Sequence, residues 1–157
     1  MIKQQLMDRQ KQLGMVAACL EMDEIKGYGL DMLEFATEDS WRRFVNPEIV
    51  YAHLPMTDTT ANIPFYKVAM AVQDMHACIN ARKQVVYVHC KAGKGRSWMV
   101  TMCYLVTYGG MSYKRASELL RSKRGQVSPS SSQEKFVSDF PLNFAKWSSL
   151  KEYNSTQ

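Results

Sequence analysis

The segment CKAGKGRS, from Cys90 to Ser97, carries one thiol, three cations and two glycines. A cysteine thiolate is a strong nucleophile, and the backbone amides of a glycine-rich turn can converge on one anion. The helix predicted to follow adds the positive end of its dipole, which also favours the thiolate. Arg96, six positions after Cys90, can reach back across the loop and bind two phosphate oxygens. The pattern predicts a phosphate-binding loop made of Lys91, Ala92, Gly93, Lys94, Gly95 and Arg96.

If the thiolate attacks the phosphorus of a bound phosphate ester, the leaving oxygen needs a proton, because an unprotonated alkoxide leaves slowly. The chemistry therefore predicts a carboxylic acid on a nearby loop. Asp58, in the segment LPMTDTTANIPF, follows a predicted strand and precedes a long predicted helix. If that strand and the strand ending at His89 are neighbours, Asp58 and Cys90 emerge at the same end of the sheet. We expect Asp58 to protonate the leaving group and then to accept a proton from the attacking water. The alternative is that Asp58 only caps its loop beside Thr59 and Thr60.

The elements that must position these residues alternate between strand and helix patterns. Apolar runs of strand length predict strands, while apolar residues at three- and four-residue spacing predict helices. The alternation favours an α/β fold with a mostly parallel sheet, in which ligands bind beyond the carboxyl ends of the strands. The predicted strands are Met15–Met22, Glu48–Leu54 and Val85–His89; the predicted helices are Gln4–Leu13, a helix from a Thr37 cap to Phe44, Phe65–Arg82, Ser97–Tyr108, Ser112–Arg124 and Ser131 to about Phe140.

The last predicted helix has both a start and a stop signal. Ser131 and Glu134 have the spacing of a capping box, in which each side chain bonds the other residue's backbone amide. Pro141 is expected to halt or kink the helix, because proline lacks an amide hydrogen.

A cationic cluster of Arg121, Lys123 and Arg124 ends the preceding helix. Cations at a helix C-terminus complement the helix dipole. We favour that structural role over contact with a headgroup or a membrane surface.

The composition is that of one globular domain. The chain has 157 residues, 46% of them hydrophobic, and a net charge of +5, which suits an anionic partner but is also common on proteins without one. No apolar run approaches the ~18 residues of a membrane span, and the polar start, Met1–Gln12, lacks a signal-peptide pattern. Four cysteines without a Cys-x-x-Cys pair indicate free thiols. We expect one soluble domain over residues 1–147, a polar C-terminal tail over 148–157, no metal and no cofactor.

Two alternatives compete for the cysteine loop. A nucleotide-binding P-loop is excluded by spacing, because it needs Gly-x4-Gly-Lys-Ser/Thr whereas here Lys94 precedes Gly95 and Arg96 precedes Ser97. A buried structural cysteine beside a glycine turn stays open at this point. His89, before the thiol, is better explained by a structural role than by acid–base chemistry.

His89, Cys90, Arg96 and Ser97 match the signature His-Cys-x5-Arg-Ser/Thr, and this region resembles the protein-tyrosine-phosphatase superfamily. The order strand, Asp loop, helix, strand, Cys loop is similar to that of the compact dual-specificity phosphatases. That resemblance implies a mostly parallel sheet of about four to five strands flanked by helices. It also implies that Cys90 forms a phosphocysteine, Arg96 steadies the phosphoryl group, Ser97 stabilises the departing thiolate, Asp58 is the general acid and His89 orients the loop by hydrogen bonding.

The resemblance extends from about Gln12 to Phe140. The two lysines of the loop are similar to those of the tensin-homologue phosphoinositide phosphatases. The stretch Cys103–Phe140 is similar to the mitochondrial phosphatidylglycerophosphate phosphatases and their plant phosphoinositide-phosphatase relatives. Two features depart from that family: Trp98 stands where a small residue or threonine is usual, and a further strand commonly precedes the one predicted at Met15.

These resemblances imply a phosphomonoesterase for a phospholipid headgroup, either phosphatidylglycerophosphate or a phosphoinositide. The alternatives are a protein phosphatase for phosphotyrosine and phosphoserine/threonine, a less favoured RNA 5′-phosphatase, and a non-catalytic phosphate-binding module. The expected partners are a phosphorylated lipid or protein, with peripheral contact with an anionic membrane surface as an option and no nucleic acid. We expect a reducing intracellular compartment, either the cytoplasm or, after loss of a transit segment, a mitochondrion or plastid.

Overall fold

The computed structural model describes residues 12–27 and 37–156. Strands and helices alternate along these ranges, as the sequence patterns predict. In chain order the elements are β1 (Leu13–Ala18), α1 (Met22–Gly27), α2 (Glu38–Phe44), β2 (Val50–His53), α3 (Phe65–His76, continued by a π-helical turn over Ala77–Ala81), β3 (Val85–His89), α4 (Arg96–Thr107), α5 (Tyr113–Lys123) and α6 (Ser131–Ser155).

The sheet has the order β2-β1-β3, and both strand pairs are parallel. Every residue of β1 is buried, which explains its nearly continuous apolar sequence. The described ranges contain three strands, fewer than the expected four to five, because every other described segment with a regular pattern forms a helix. The strand predicted over Met15–Met22 begins earlier, at Leu13, and stops at Ala18.

Helices cover both faces of the sheet. On one face, Met15 and Ala17 of β1 share a core with α3, α4 and α6, while on the other face Val16 packs against Trp41 of α2. Thr37 caps α2 as predicted, its hydroxyl accepting the Ser40 amide. Full burial of an apolar side chain of this size contributes about 1.5–3 kcal/mol, so this two-sided core fixes the sheet that carries the site.

Helix α6 corrects two sequence predictions. It runs through Pro141 to Ser155 rather than halting near Phe140. Phe140 and Phe144 are buried on the core at this point while Pro141 faces solvent, so packing outweighs the ~3 kcal/mol cost of an interior proline. The capping box is formed by Ser130 and Gln133, one residue before the predicted pair.

The two ends of the chain bear on the remaining predictions. Most of the predicted helix Gln4–Leu13 lies outside the described residues, and its last residue belongs to β1. Residues 148–155, predicted as a polar tail, are helical, and the division into a domain and a tail stays a prediction. Among the described helices, none combines the length and the apolarity needed to cross a bilayer.

Candidate active site

Three loops meet at one end of the sheet. Because both strand pairs of the described sheet are parallel, the segments that follow β1, β2 and β3 leave from the same end of the sheet. They carry Glu24, Asp58 and Cys90, respectively. Arg96, the first residue of α4, contacts the first two of these segments and lies on the third loop itself.

The Arg96 side chain is fully buried, and both terminal nitrogens of its guanidinium are hydrogen-bonded. Nη1 and Nη2 donate to the two carboxylate oxygens of Glu24 at 2.5 and 2.9 Å, and Nη1 also donates to the Met56 carbonyl at 2.9 Å. Burial opposes the charged guanidinium, but the Glu24 hydrogen bonds and the nearby negative groups raise the pKa of Arg96. The same pairing lowers the pKa of Glu24. Arg96 is therefore a fixed cation beneath the cysteine loop.

The side edge of this guanidinium has one unsatisfied donor. Nε of Arg96 is buried and makes no hydrogen bond to any described residue. Asp58 Oδ1 lies 3.4 Å from Nε, which is an ion pair rather than a well-formed hydrogen bond. Asp58 is itself 65% exposed, so it covers the buried Nε from the solvent side.

The sulfur of Cys90 has two hydrogen-bond partners. The Gly93 amide donates to Sγ at 3.2 Å, and Ser97 Oγ lies 3.3 Å from Sγ. A hydroxyl and an amide that point at sulfur stabilise negative charge on it. These contacts place Cys90 and Ser97 together, as the sequence predicts.

The other three cysteines are fully buried, and none of the four is in a disulfide. Burial raises the pKa of Cys19 and of Cys103, so both stay protonated thiols. Cys90 alone is partly exposed, which leaves it as the cysteine accessible to a substrate.

His89 faces the interior at the end of β3. Its ring stacks on Tyr87 with centroids 5.2 Å apart, and its Nε2 has no hydrogen-bond partner among the described residues. Burial lowers the pKa of His89 to about 4, so the imidazole is neutral near pH 7. The predicted orienting hydrogen bond is not formed through Nε2, and a supporting role for this residue stays a prediction.

The cysteine loop needs both of its glycines. Gly93 has φ +67°, and a Cβ there would lie 2.6 Å from the Arg124 guanidinium. A Cβ on Gly95 would lie 2.4 Å from the side-chain oxygen of Gln133. Lys91, Ala92 and Lys94 are exposed around this turn. Their roles in binding substrate stay predictions.

Arg124 lies on the rim of the cysteine loop, although the sequence favours a helix-dipole role for it over contact with a headgroup. Its Nη2 donates to the Ala92 carbonyl at 3.1 Å. With the Gln126 amide in its hydrogen-bonding orientation, the Gln126 oxygen accepts from Nε and Nη2 of Arg124 at 2.9 and 2.7 Å. The favoured role in the α5 dipole therefore does not describe Arg124, because its guanidinium is directed to the cysteine loop. Arg121, in the last turn of α5, donates to the Val127 carbonyl in the segment that follows the helix.

Glu24 belongs to the site although the sequence signature does not contain it. Glu24 follows β1 as Asp58 follows β2, so the rule that ligands bind beyond strand ends is the signal that could have found it. Trp98 is buried under the loop, and its ring packs nearly perpendicular to the Tyr113 ring, with centroids 6.3 Å apart. The unusual tryptophan is thus accommodated by core packing.

Within the described ranges, no three His, Cys, Asp or Glu side chains cluster closely enough to hold a metal ion. The groups that surround Cys90 are instead amide, hydroxyl and guanidinium donors, which suit an oxyanion. The arrangement brings together the sulfur of Cys90, the guanidinium of Arg96 and the carboxyl group of Asp58 beyond the carboxyl ends of the strands.

Comparisons with known proteins agree with this geometry. Over 93 residues the chain is 36% identical to phosphatidylglycerophosphate phosphatase PTPMT2 of Arabidopsis thaliana. This aligned region covers 59% of this chain and 40% of that protein. Over 118 residues the chain is 30% identical to the dual specificity protein phosphatase Mpk3 of Drosophila melanogaster, covering 74% of this chain and 28% of that one. The chain thus spans less than half the length of either relative.

The fold is shared with a solved phosphatase structure. The crystal structure of PTPMT1 in complex with PI(5)P superposes with a TM-score of 0.72 at 22% identity, covering 91% of this chain and 84% of that one. Residues 13–141, which include all three loops at this end of the sheet, match the model of the dual specificity phosphatase catalytic domain. The chain therefore belongs to the dual specificity phosphatase catalytic-domain family.

Proposed function

We propose that the chain is a cysteine-dependent phosphoric monoester hydrolase. The observation that carries this proposal is the side edge of Arg96, whose buried Nε–H makes no hydrogen bond to a described residue and faces only the 3.4 Å ion pair with Asp58. Glu24 takes one hydrogen from each terminal nitrogen, so Nε–H and the remaining hydrogen of Nη2 can bind two phosphate oxygens. A bound phosphoryl group would replace Asp58 as the partner of Nε.

The first chemical step transfers the phosphoryl group to sulfur. The Cys90 thiolate forms the S–P bond while the P–O bond to the leaving group breaks, and protonated Asp58 gives its proton to the departing oxygen. Arg96 and the amides of the loop bind the equatorial oxygens throughout.

The second step hydrolyses the phosphocysteine. Asp58, now a carboxylate, accepts a proton from the attacking water as the new P–O bond forms and the S–P bond breaks. Ser97 Oγ, 3.3 Å from Sγ, donates to the departing thiolate. The products are inorganic phosphate and the dephosphorylated alcohol.

For the substrate we propose a phospholipid headgroup that carries a second anion beside the monoester. Three cations support this: Lys91 and Lys94 are exposed on the loop, and Arg124 is fixed on its rim. Phosphatidylglycerophosphate and phosphoinositides both contain a phosphodiester that such cations would bind. Similarity to a phosphatidylglycerophosphate phosphatase points the same way.

The second candidate is a protein phosphatase. It is favoured by the 30% identity to Mpk3, a dual specificity protein phosphatase of Drosophila melanogaster. A phosphopeptide with a neighbouring acidic group would also meet the rim cations, so charge alone does not separate the two substrates.

A substrate panel tests both candidates. Purified protein is given phosphatidylglycerophosphate and a phosphoinositide in vesicles, a phosphotyrosine and a phosphothreonine peptide, 5′-phosphorylated RNA and phenyl phosphate. We expect the highest kcat/KM on a phospholipid. A higher value on a phosphopeptide would replace the lipid assignment with the protein assignment, and phosphate binding without turnover would indicate a non-catalytic module.

The rim cation is tested with Arg124→Gln. We expect its KM for the phospholipid to rise roughly 10-fold, the size of one lost charge-assisted contact, with little change on phenyl phosphate. Arg115→Gln, the same charge change near the other end of α5, is the matched control. Equal effects of the two variants would show that only net charge matters.

A further inference from the structure

We propose that Gln133 is a positioning residue that holds the Asp58 loop against the cysteine loop; this rests on the proposed function for its catalytic consequence. Gln133 is a neutral polar side chain with no solvent exposure, at the start of α6. Buried polar side chains are retained where each polar atom has a partner.

The first contact of Gln133 reaches the acid loop. Its Nε2 donates to the Thr60 carbonyl at 3.1 Å, across 73 positions of sequence. Thr60 closes the turn that carries Asp58, because its amide and its hydroxyl both donate to the Thr57 carbonyl, at 3.2 and 2.7 Å. A contact that holds Thr60 in place therefore also holds the backbone of the turn, residues 57–60, which includes Asp58.

That turn needs an external restraint. Thr59 has φ +64°, a backbone conformation that β-branched residues rarely adopt. Asp58 Oδ1 accepts the Thr59 amide at 2.9 Å, which is a contact within the same turn. Two hydrogen bonds join the turn to distant described residues: the Thr57 hydroxyl donates to Glu21 Oε1 at 3.0 Å, and the Gln133 amide donates to the Thr60 carbonyl. The Gln133 contact is the one that ties the turn to α6, so it helps to set where the turn lies.

The second contact of Gln133 reaches the cysteine loop. A Cβ on Gly95 would lie 2.4 Å from Gln133 Oε1, so the carboxamide packs directly on the backbone before Arg96. The chain leading into α6 adds a hydrogen bond to the same loop, from the Ser128 amide to the Lys94 carbonyl at 2.9 Å. One carboxamide thus lies between the two loops that must cooperate.

Only a side chain with both a donor and an acceptor fits this place. Gln133 Oε1 accepts the Ser130 amide at 2.9 Å while Nε2 serves Thr60. A carboxylate would set an oxygen against the Thr60 carbonyl, and an aliphatic side chain would leave both partners unsatisfied. Gln133→Leu should therefore release the acid loop while keeping similar volume.

The test compares leaving groups, because a displaced general acid matters only where the leaving group needs a proton. The substrates are 2,4-dinitrophenyl phosphate, 4-nitrophenyl phosphate and phenyl phosphate, in the order in which their leaving groups increasingly need a proton. We expect Gln133→Leu to lower kcat on phenyl phosphate roughly 10-fold, a fraction of the full general-acid effect, and to change kcat on dinitrophenyl phosphate by less than about 2-fold. The same fold-loss on all three substrates would overturn the proposal.

A double variant isolates the route of the effect. In an Asp58→Asn background, adding Gln133→Leu should cause no further loss on phenyl phosphate, because the acid is already absent. Additive losses would show that Gln133 acts elsewhere. Ser130→Ala is the matched control: it removes the cap hydroxyl at the start of α6 but keeps the Thr60 contact, and its losses should not depend on the leaving group.

A readout that does not use activity separates this inference from the proposed function. Hydrogen exchange of the peptide covering residues 55–64 should become faster in Gln133→Leu, while exchange in β1 should not change. Unchanged exchange in 55–64 would overturn the tether whether or not the chain is a phosphatase. Should Gln133→Leu fail to fold, Gln133→Asn, whose shorter amide cannot serve both Thr60 and Ser130, is compared in the same assays. An inactive wild type with a faster-exchanging variant would reject only the enzymatic proposal.

Discussion

The two loops that meet at Arg96 are held in different ways. The cysteine loop runs from β3 in the sheet to α4, and Arg96 and Ser97 at the start of α4 are buried. The Asp58 loop has an exposed acid and a turn closed by its own hydrogen bonds, with side-chain contacts to Glu21 and to Gln133 of α6. The nucleophile and the anion site therefore lie on buried residues, whereas the exposed acid lies on a polar turn whose flanking residues, Met56 and Ile63, are buried in the core.

This difference fits what each loop must do in the proposed reaction. The sulfur and the guanidinium must hold one geometry through both steps, and preorganised donors are effective because they need not rearrange. The Asp58 carboxylate lies on the side edge of Arg96 that a phosphate would take, so this side chain must shift when substrate binds, while the backbone of its turn stays in place. The contrast predicts that changes in the cysteine loop are severe and that changes in the acid loop are graded.

The largest effect is expected for Cys90→Ser. Loss of the nucleophile should lower turnover roughly 10⁴-fold or more, while the loop and Arg96 still bind inorganic phosphate. Turnover is measured on phenyl phosphate and phosphate binding by calorimetry. Cys103→Ala, which removes a buried thiol outside the site, should stay active, and substantial turnover by Cys90→Ser would contradict the mechanism.

Asp58→Asn should have a smaller effect. We expect kcat to fall ~10²-fold, within the usual contribution of a general acid. The rate is measured on phenyl phosphate, whose leaving group needs a proton. Unchanged turnover in Asp58→Asn would remove this residue from its proposed role and would leave only loop capping.

Glu24→Gln tests the rigid side through a residue outside the signature. Replacing the carboxylate weakens the grip on the end of the Arg96 guanidinium, so we expect KM to rise roughly 10-fold to 100-fold, the size of a charge-assisted hydrogen bond. Steady-state kinetics on phenyl phosphate give the value. Asp23→Asn, the same loss of charge on the neighbouring position of α1, is the control. If both variants behave alike, the Arg96 pairing is not responsible.

The smallest effect is a pH dependence of stability at the end of β3. The pKa of His89 is about 4 in the folded chain, below its ordinary value of 6.5, so the unfolded chain binds the extra proton first as pH falls. Stability from this group is complete above pH 6.5 and is lost as pH falls towards 4. From these pKa values, the free energy of unfolding should be at most about 2 kcal/mol lower at pH 5 than at pH 7.

Urea unfolding at the two pH values measures this dependence. His89→Asn, which has no titrating group, should show a smaller difference between pH 7 and pH 5 than the wild type. An equal difference in both proteins would mean that another group is responsible. Glu24 adds little to the change in stability between pH 7 and pH 5. Its pKa is lowered in the folded chain, so its contribution to stability is lost only as pH falls below the ordinary value of 4.5.

The strands and the nucleophile loop were predictable because their signals are local. The β-branched run before Cys90, the two glycines and the return of Arg96 all lie within residues 85–97. Parallel topology then implied that Asp58 would emerge near Cys90, and the 3.4 Å contact of Asp58 with Arg96 agrees with that expectation. The path of α6 past Pro141 was not predictable, since it depends on how well Phe144 packs on the rest of the core.

The start of α6 shows where local information ends. The segment SSSQE offers two frames with capping-box spacing, Ser130 with Gln133 and Ser131 with Glu134, and the sequence alone does not choose between them. The folded chain uses the first frame, which buries a neutral amide against Thr60 and leaves the Glu134 carboxylate in solvent. Burying the carboxylate instead would cost far more, because an unpaired charge loses its hydration.

The sequence by itself determined the chemistry of the cysteine loop, because covalent neighbours set which groups can surround one sulfur. Only the tertiary structure decided the partners of that loop. Glu24 lies 72 positions from Arg96, and Gln133 lies 73 positions from Thr60. Such pairs form because a buried charge or amide must find a partner wherever the folded backbone brings one, and no local pattern in the chain records that choice.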